Sequence, residues 1–279
     1  MLKFSLILAT INRVREVENF LRSLSCQTYR DFELIVVDQN ADDRVESLLD
    51  QYRNQFTILH LRCEPGLSRA RNHGLQAITG DIVAFPDDDC WYPADVLEKV
   101  AQCFARYTMD IATGQSRDAD NRHSQRMWPS RGSIAGKISI WRLAISYTVF
   151  MRRDCVRRVG NFDDTLGVGA GTPWQSGEET DYLLRALDCG FVIRYFPDLK
   201  VFHPQKTQVY DAATIERARV YGAGLGRVLK KHRYPLWYIF YMLLRPVGGV
   251  VISLLMFRRG KACYHSGVLR GRLRGWVGT

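Results

Sequence analysis

"DIVAFPDDDCWYP", residues 81–93, joins a short apolar run to three consecutive aspartates and then to a proline that can open a helix. A run of Ile, Val and Phe of this length has the character of a buried strand. Adjacent carboxylates repel one another, and a solvated loop at a helix N-terminus is one setting that tolerates them, because negative charge is favoured there. A bound cation is the other. Carboxylates at i and i+2 can point to one side and offer oxygens to a hard divalent ion that also takes phosphate oxygens and water. On that reading Asp87 and Asp89 are the working pair, and Asp88 turns toward the protein or a sugar.

Three further apolar runs precede it: "KFSLILAT" (3–10), "FELIVVD" (32–38) and "FTILHL" (56–61). Helix-like segments separate them, the first showing Val14, Val17, Leu21 and Leu24 at spacings of three and four. Near-continuous apolar strands alternating with amphipathic helices predict an α/β fold with a largely parallel, Rossmann-like sheet flanked by helices. Ligands of such sheets bind beyond the carboxyl ends of the strands. Thr10, Asn12, Asp38, the segment after Leu61 and the aspartate triplet are the polar groups there. Beyond residue 110 the alternation fades into the polar stretch 114–132, and "ISIWRLAISYTVFMRRD" (138–154) restores strand or helix character.

At 279 residues and 46% hydrophobic, the chain can bury a sizeable core. Its seven cysteines are scattered and contain no C-x-x-C pair, which argues against a disulfide framework or zinc knuckle and for a reducing compartment. The N-terminus reads as a buried first strand rather than a signal peptide, so the cytoplasm is expected.

Asp38 closes "LIVVD", where it could accept from a ribose or base or cap the turn at "QNADD". In "EPGLSRARNHGL" (64–75), Arg69 and Arg71 could carry guanidinium forks to a diphosphate or lie on a solvated helix face. The glycine-rich "GVGAGTPWQSG" (167–177) has the composition of a mobile lid, with Trp174 able to stack on a sugar or pack on the core. "SGEE" also fits a capping box, Ser176 as N-cap and Glu179 as its partner, which would leave Glu178 as the free carboxylate.

In order, "ATINR", "LIVVD", "GLSRARNHG", "FPDDDCWYP" and "SGEETD" resemble the inverting glycosyltransferase family 2, whose members have the GT-A fold and use nucleotide-diphospho-sugars. The resemblance runs over residues 3 to about 205, and "RRDCVRRVGNFDD" is similar to the family's lead-in to the acceptor side. It implies a catalytic domain over 1–210, with a nucleotide-sugar-binding half (1–110) and an acceptor half (111–210). Thr10, Asn12, Asp38, Arg71, Asp87 and Asp88 are then expected on the nucleotide-sugar. Asp87 and Asp89 would hold Mg2+ or Mn2+ on its diphosphate, and His203 in "LKVFHPQ" would supply a further metal contact or stand as an ordinary turn residue. The family's acidic base falls on Glu179, with Glu178 beside it, although Glu replaces the commoner Asp at 179. Trp174 and Asp181 are the acceptor or lid candidates. The implied reaction is a direct displacement with inversion.

Charge divides unevenly. From Arg217 onward there are 13 Lys and Arg and no Asp or Glu, so residues 1–216 carry 26 basic against 29 acidic groups and the whole positive excess is C-terminal, within the tail 211–279. The tail contains "YPLWYIFYMLLRPVGGVVISLLMFRRGK" (234–261), two apolar stretches broken at Arg245 and Pro246. A single span needs ~20 apolar residues and an arginine at its centre costs several kcal/mol. Two helices in the interface of an anionic membrane are therefore expected, and not nucleic acid, which would leave the apolar stretches without a partner. By resemblance the acceptor is a polyprenyl-diphosphate-linked saccharide at the cytoplasmic face of the bacterial inner membrane. A sugar nucleotidyltransferase would place a glycine-rich basic loop after the first strand, and "ATINRVRE" has no glycine. A catalytically silent membrane scaffold with a GT-A fold is the other alternative.

Overall fold

Apolar side chains on both faces of the predicted strands 3–10, 32–38 and 81–87 favour burial between two layers of helix, whereas the third run, 56–61, lies at the sheet edge with Leu59 exposed. The computed structural model, which describes residues 1–205 and 209–278, shows them as β1 (Phe4–Thr10), β2 (Phe32–Asp38), β3 (Thr57–Arg62) and β4 (Ile82–Ala84), mutually parallel in the order β3-β2-β1-β4. The fourth strand is shorter than expected because Pro86 has no N–H for a ladder, although Ala9 still bridges Asp87. Between β1 and β2, helix α1 (Arg15–Ser25) buries Val17, Phe20, Leu21 and Leu24. Val14 precedes this helix and is exposed, so Phe20 completes the buried face.

The second half of the sheet is mixed. Strand β7 (Val149–Arg152) runs antiparallel to both β4 and β5 (Ile111–Arg117), and β8 (Ile193–Phe202) runs parallel to β5. Two reversals restore direction, so the carboxyl ends of β1, β2, β4, β5 and β8 share one edge of the sheet. A two-residue strand, β6 (Ser133–Ile134), closes the far side. Residues 114–117, expected in a polar loop, lie inside β5. Their polar side chains are satisfied in part: the Tyr147 hydroxyl donates to Ser116 Oγ at 2.8 Å and Gln115 Nε2 donates to the Pro197 carbonyl, while Gln115 Oε1 and Arg117 Nε are buried without a partner among the described residues. Gly114 sits at the register shift between β5 and β8, where a Cβ would run into the Leu199 backbone.

Among the described residues the fold divides into two compact units. The first comprises residues 1–65, 69–162 and 182–205 and contains the whole sheet. The second comprises residues 66–68, 163–181 and the described residues from 209 onward, so the glycine-rich loop groups with the C-terminal helices. Those helices are α8 (Ala212–Lys231), α9 (Leu236–Leu255) and α10 (Arg259–Val277). Glycines make the contact between α8 and α10. At Gly226, Gly271 and Gly275 a Cβ would overlap the backbone of the facing helix. The two helices therefore meet backbone to backbone, as small-residue stripes allow.

The expected break at Arg245 and Pro246 is absent, and α9 is one continuous helix of 20 residues. Proline in a helix removes the N–H that would bond to the carbonyl four residues back. Here that carbonyl belongs to Met242, and the Arg272 guanidinium of α10 donates to it. An external donor thus repairs the gap, and the helix is long and apolar enough to cross a membrane by length and composition.

The glycine contact has a direct consequence. Gly275→Val forces two backbones apart and should destabilise the protein by about 3 kcal/mol in thermal or denaturant unfolding. Gly248→Ala, in an open part of α9, should be neutral or stabilising by up to about 1 kcal/mol. Equal effects from the two changes would contradict this packing.

Candidate functional site

Register alone brings the strand ends together: Thr10 lies opposite Asp38, Ala9 bridges Asp87, and Trp91 bridges Phe202, the residue before His203. The aspartate triplet and His203 converge as a result, and one ligand atom from each of Asp87, Asp89 and His203 lies within 4.8 Å of the others. His203 Nε2 is 3.0 Å from Asp89 Oδ1. Its Nδ1 lies 2.8 Å from the Pro204 carbonyl and 3.1 Å from Gln125 Nε2; the tautomer that donates from Nδ1 to the carbonyl leaves Nε2 as a ligand atom. Tyr147 stacks on the ring at a centroid distance of 5.0 Å and fixes its plane. Two carboxylate oxygens and an imidazole nitrogen are a donor set that fits Mn2+ or Mg2+.

Each aspartate has its own supports. Asp88 is buried and accepts from Thr10 Oγ1 at 2.8 Å, so two residues expected on the nucleotide-sugar are bonded to each other. Arg13 Nη1 lies 2.7 Å from both Asp88 Oδ1 and Asp89 Oδ2. Asp87 Oδ1 is 3.3 Å from Arg71 Nη2 and 3.3 Å from Ser146 Oγ. Arg71 itself is buried, its guanidinium 5.9 Å from the centre of the Phe85 ring and 5.4 Å from that of Phe162. Arg69, its companion in sequence, faces solvent and donates to the Pro65 carbonyl. Burial therefore separates two arginines that the sequence left equivalent.

Asp38 is fully buried. Its Oδ1 accepts from the Asn40 amide N–H at 2.9 Å and from Asn40 Nδ2 at 2.6 Å, and His60 Nε2 lies 3.2 Å from Oδ2. Asn40 Oδ1 in turn accepts from the Asn12 N–H at 2.7 Å, and Asn12 adopts the left-handed conformation (φ 58°) that Asn tolerates better than most residues. Asp38 thus secures the turn after β2, and Asn12 is tied to it through Asn40. Arg13, Asn40, His60, Ser146 and Tyr147 carry no role in the sequence reading. Arg13 stands inside "ATINR" and Asn40 just after "LIVVD", but local pattern holds no sign that they reach these carboxylates.

Glu178, Glu179, Trp174 and Asp181 belong to the second unit, in the loop 163–177 and the first turn of α7 (Glu178–Asp188). The capping box is not formed, because α7 starts at Glu178 and its N-cap position falls on Gly177, while the Ser176 hydroxyl donates to the Tyr221 carbonyl at 2.7 Å. Glu178 is buried and Glu179 half-buried. The Arg227 guanidinium covers the Trp174 ring, 4.2 Å from its centroid. Asp181 is fully buried, with Lys231 Nζ 2.7 Å and His232 Nε2 2.8 Å from its Oδ1. Its carboxylate thus anchors the end of α8 rather than facing a lid or acceptor.

Two neighbouring carboxyls titrate in opposite senses. Burial pushes Asp88 from its ordinary 3.8 up to about 6, with Arg13 and Thr10 opposing and the adjacent carboxylates adding. Burial acts the same way on Asp89, but the hydrogen bond and charge of His203, with Arg13, hold it well below the usual range. His203 is raised in return, Asp89 outweighing burial. A carboxyl raised in the folded state contributes stability that is present in acid and lost as pH rises, here between about 4 and 6. Without divalent cation, Asp88→Asn should therefore gain on the wild type by about 2 kcal/mol between pH 4.5 and pH 7, read from unfolding at both pH values. An unchanged difference would contradict it.

Comparison with known proteins agrees with this fold. The family model described as "Glycosyl transferase family 2" matches residues 5–162, more than half of the chain. Glycosyltransferase AglE of Haloferax volcanii is 26% identical over 72% of this chain and 67% of its own length. The succinoglycan biosynthesis protein ExoM of Rhizobium meliloti is 26% identical over 92% of this chain and 89% of its own. Among solved structures, S. aureus TarS 1-349 in complex with UDP-GlcNAc aligns with a TM-score of 0.62 at 17% identity, covering 98% of this chain and 91% of that one. The mannosyltransferase PcManGT from Pyrobaculum calidifontis, in complex with GDP-Man and Mn2+, aligns with a TM-score of 0.66 at 16% identity, covering 98% and 87%. At those identities the two structures establish a shared fold, and the match to the family model over the strand ends that carry Thr10, Asp38, Arg71 and the aspartate triplet places the chain in glycosyltransferase family 2.

Proposed function

We propose that the protein moves a sugar, with inversion, from a UDP- or dTDP-sugar to a hydroxyl of a polyprenyl-diphosphate-linked saccharide in surface polysaccharide assembly. The observation that carries this reading is the Asp87, Asp89 and His203 group at the carboxyl edge of the sheet. TarS was captured with UDP-GlcNAc and PcManGT with GDP-Man and Mn2+, and ExoM is named for succinoglycan biosynthesis. These support a nucleotide-sugar donor, a divalent cation and a polysaccharide product here.

On this proposal Asp87, Asp89 and His203 hold Mg2+ or Mn2+, which supplies positive charge to the departing diphosphate. Arg71 adds a second positive charge beside Asp87, held by its aromatic neighbours in a fixed place, so no reorganisation is needed as charge develops. Glu179 takes the proton from the acceptor hydroxyl, whose oxygen attacks the anomeric carbon opposite the leaving nucleotide. The sugar forms no bond to the protein.

The tail supports membrane attachment. Helix α9 exposes Leu236, Trp237, Phe240, Leu244, Val251, Ile252 and Leu255, and Phe257 follows beside Arg258 and Arg259. An apolar surface edged by cations suits the interface of an anionic membrane, on this reading the cytoplasmic face of the bacterial inner membrane, with α9 lying in it or shallowly inserted.

Two outcomes are expected. In a donor screen that scores nucleoside diphosphate release with Mn2+, Asp89→Ala and Glu179→Gln should each lower turnover by at least about 100-fold. Wild-type turnover in Glu179→Gln with loss in Glu178→Gln would move the base to Glu178, and pyrophosphate release would indicate nucleotidyl transfer instead. Separately, Phe240→Glu with Leu244→Glu should abolish co-sedimentation with anionic vesicles that survives a high-salt wash. Release of the wild-type protein by salt alone would contradict apolar insertion.

A further inference from the structure

Arg13 stands where a cation is expected. Its Nη1 bridges Asp88 and Asp89 at 2.7 Å each, and it is half-exposed, whereas Arg71 is sealed behind Asp87. Three carboxylates against two guanidinium groups leave the cluster, His203 aside, with a formal charge of −1. Unit charges about 4 Å apart at a protein surface interact by about 4 kcal/mol, so a bound guanidinium strongly disfavours a second cation on the same carboxylates. A divalent ion entering alone would leave the cluster at +1. The same ion entering with a diphosphate diester, which brings two negative charges, would leave it at −1, as it began.

We propose that Arg13 is an internal counter-cation of the aspartate triplet: it weakens the site for a free divalent ion and reserves it for the ion that arrives with the diphosphate. Arg13 is a positioning residue in this account. In the absence of donor it holds Asp88 and Asp89 in place at short range, and the geometry lets its exposed side chain swing away from Asp89 while Thr10 keeps Asp88 fixed. The inference rests on the proposed metal-dependent use of a nucleotide-sugar and adds to it an order: the ion and the diphosphate bind as a unit.

The test is Mn2+ binding to the full chain, followed by electron paramagnetic resonance of the free ion, with and without saturating UDP. The wild type should bind Mn2+ at least tenfold more tightly with UDP than alone. Arg13→Gln should bind Mn2+ alone about tenfold more tightly than the wild type, with most of that gain gone when UDP is present. Arg13→Lys, which keeps the charge, should restore the wild-type pattern. A wild type that binds Mn2+ equally well with and without UDP overturns the proposal without any variant. So does an Arg13→Gln protein that binds the free ion no more tightly than the wild type, which would leave Arg13 a structural tie. Absence of Mn2+ binding in every protein, UDP included, would instead remove the metal reading on which the proposal rests.

Discussion

Three carboxylates in a row at the end of a buried strand must be held against their own repulsion, and much of the first unit can be understood from how this is done. Thr10 at the end of β1 and Arg13 just beyond it secure Asp88. Arg71 from α3 (Leu67–Leu75) and Ser146 from the turn before β7 reach Asp87, and His203 beyond β8 reaches Asp89. The five supports come from four separate parts of the chain, up to nearly 200 residues apart. They can converge because parallel pairing aligns the carboxyl ends of the strands, and because β7 is antiparallel to both β4 and β5, so that β8, parallel to β5, ends on the same edge as β4. The sheet topology is thus the means of assembling a charge cluster that no local segment could stabilise.

The second unit solves a different problem. An apolar, proline-containing helix has to remain helical, and the loop that leads into Glu178 and Glu179 needs a scaffold. One pair of helices serves both. The glycine contact between α8 and α10 brings Arg272 to the carbonyl that Pro246 leaves unbonded. The same α8 carries Arg227, which covers Trp174, and Lys231, which bonds Asp163 and Asp181. Anchors at both ends of the glycine-rich segment mean that its backbone freedom is confined to the stretch between them.

Much of the first unit is legible in the sequence. Continuous apolar runs specify β1 to β4, and the polar residues at their ends are where side chains converge. Arg71 and Arg69 are indistinguishable by spacing, because both lie on helical positions two apart, and only burial between Phe85 and Phe162 separates them. Arg13 is hidden for a related reason: its partners lie 75 and 76 residues away, and nothing local to "ATINR" reports a long-range ion pair. The continuity of α9 is illegible too, since the rule that proline breaks a helix holds unless a distant donor meets the freed carbonyl. Asp181 reads as part of an acidic site by its neighbours in sequence, yet its environment is set by Lys231 and His232 fifty residues on.

The proposed cation seat of Asp87, Asp89 and His203 beside the departing diphosphate can be seen in an anomalous scattering map from crystals grown with Mn2+ and UDP. A single manganese peak is expected within bonding distance of His203 Nε2 and of an Asp87 or Asp89 oxygen, with diphosphate oxygens completing its coordination. A peak away from these side chains, or His203 still hydrogen-bonded to Asp89 beside a metal held by other groups, would contradict it.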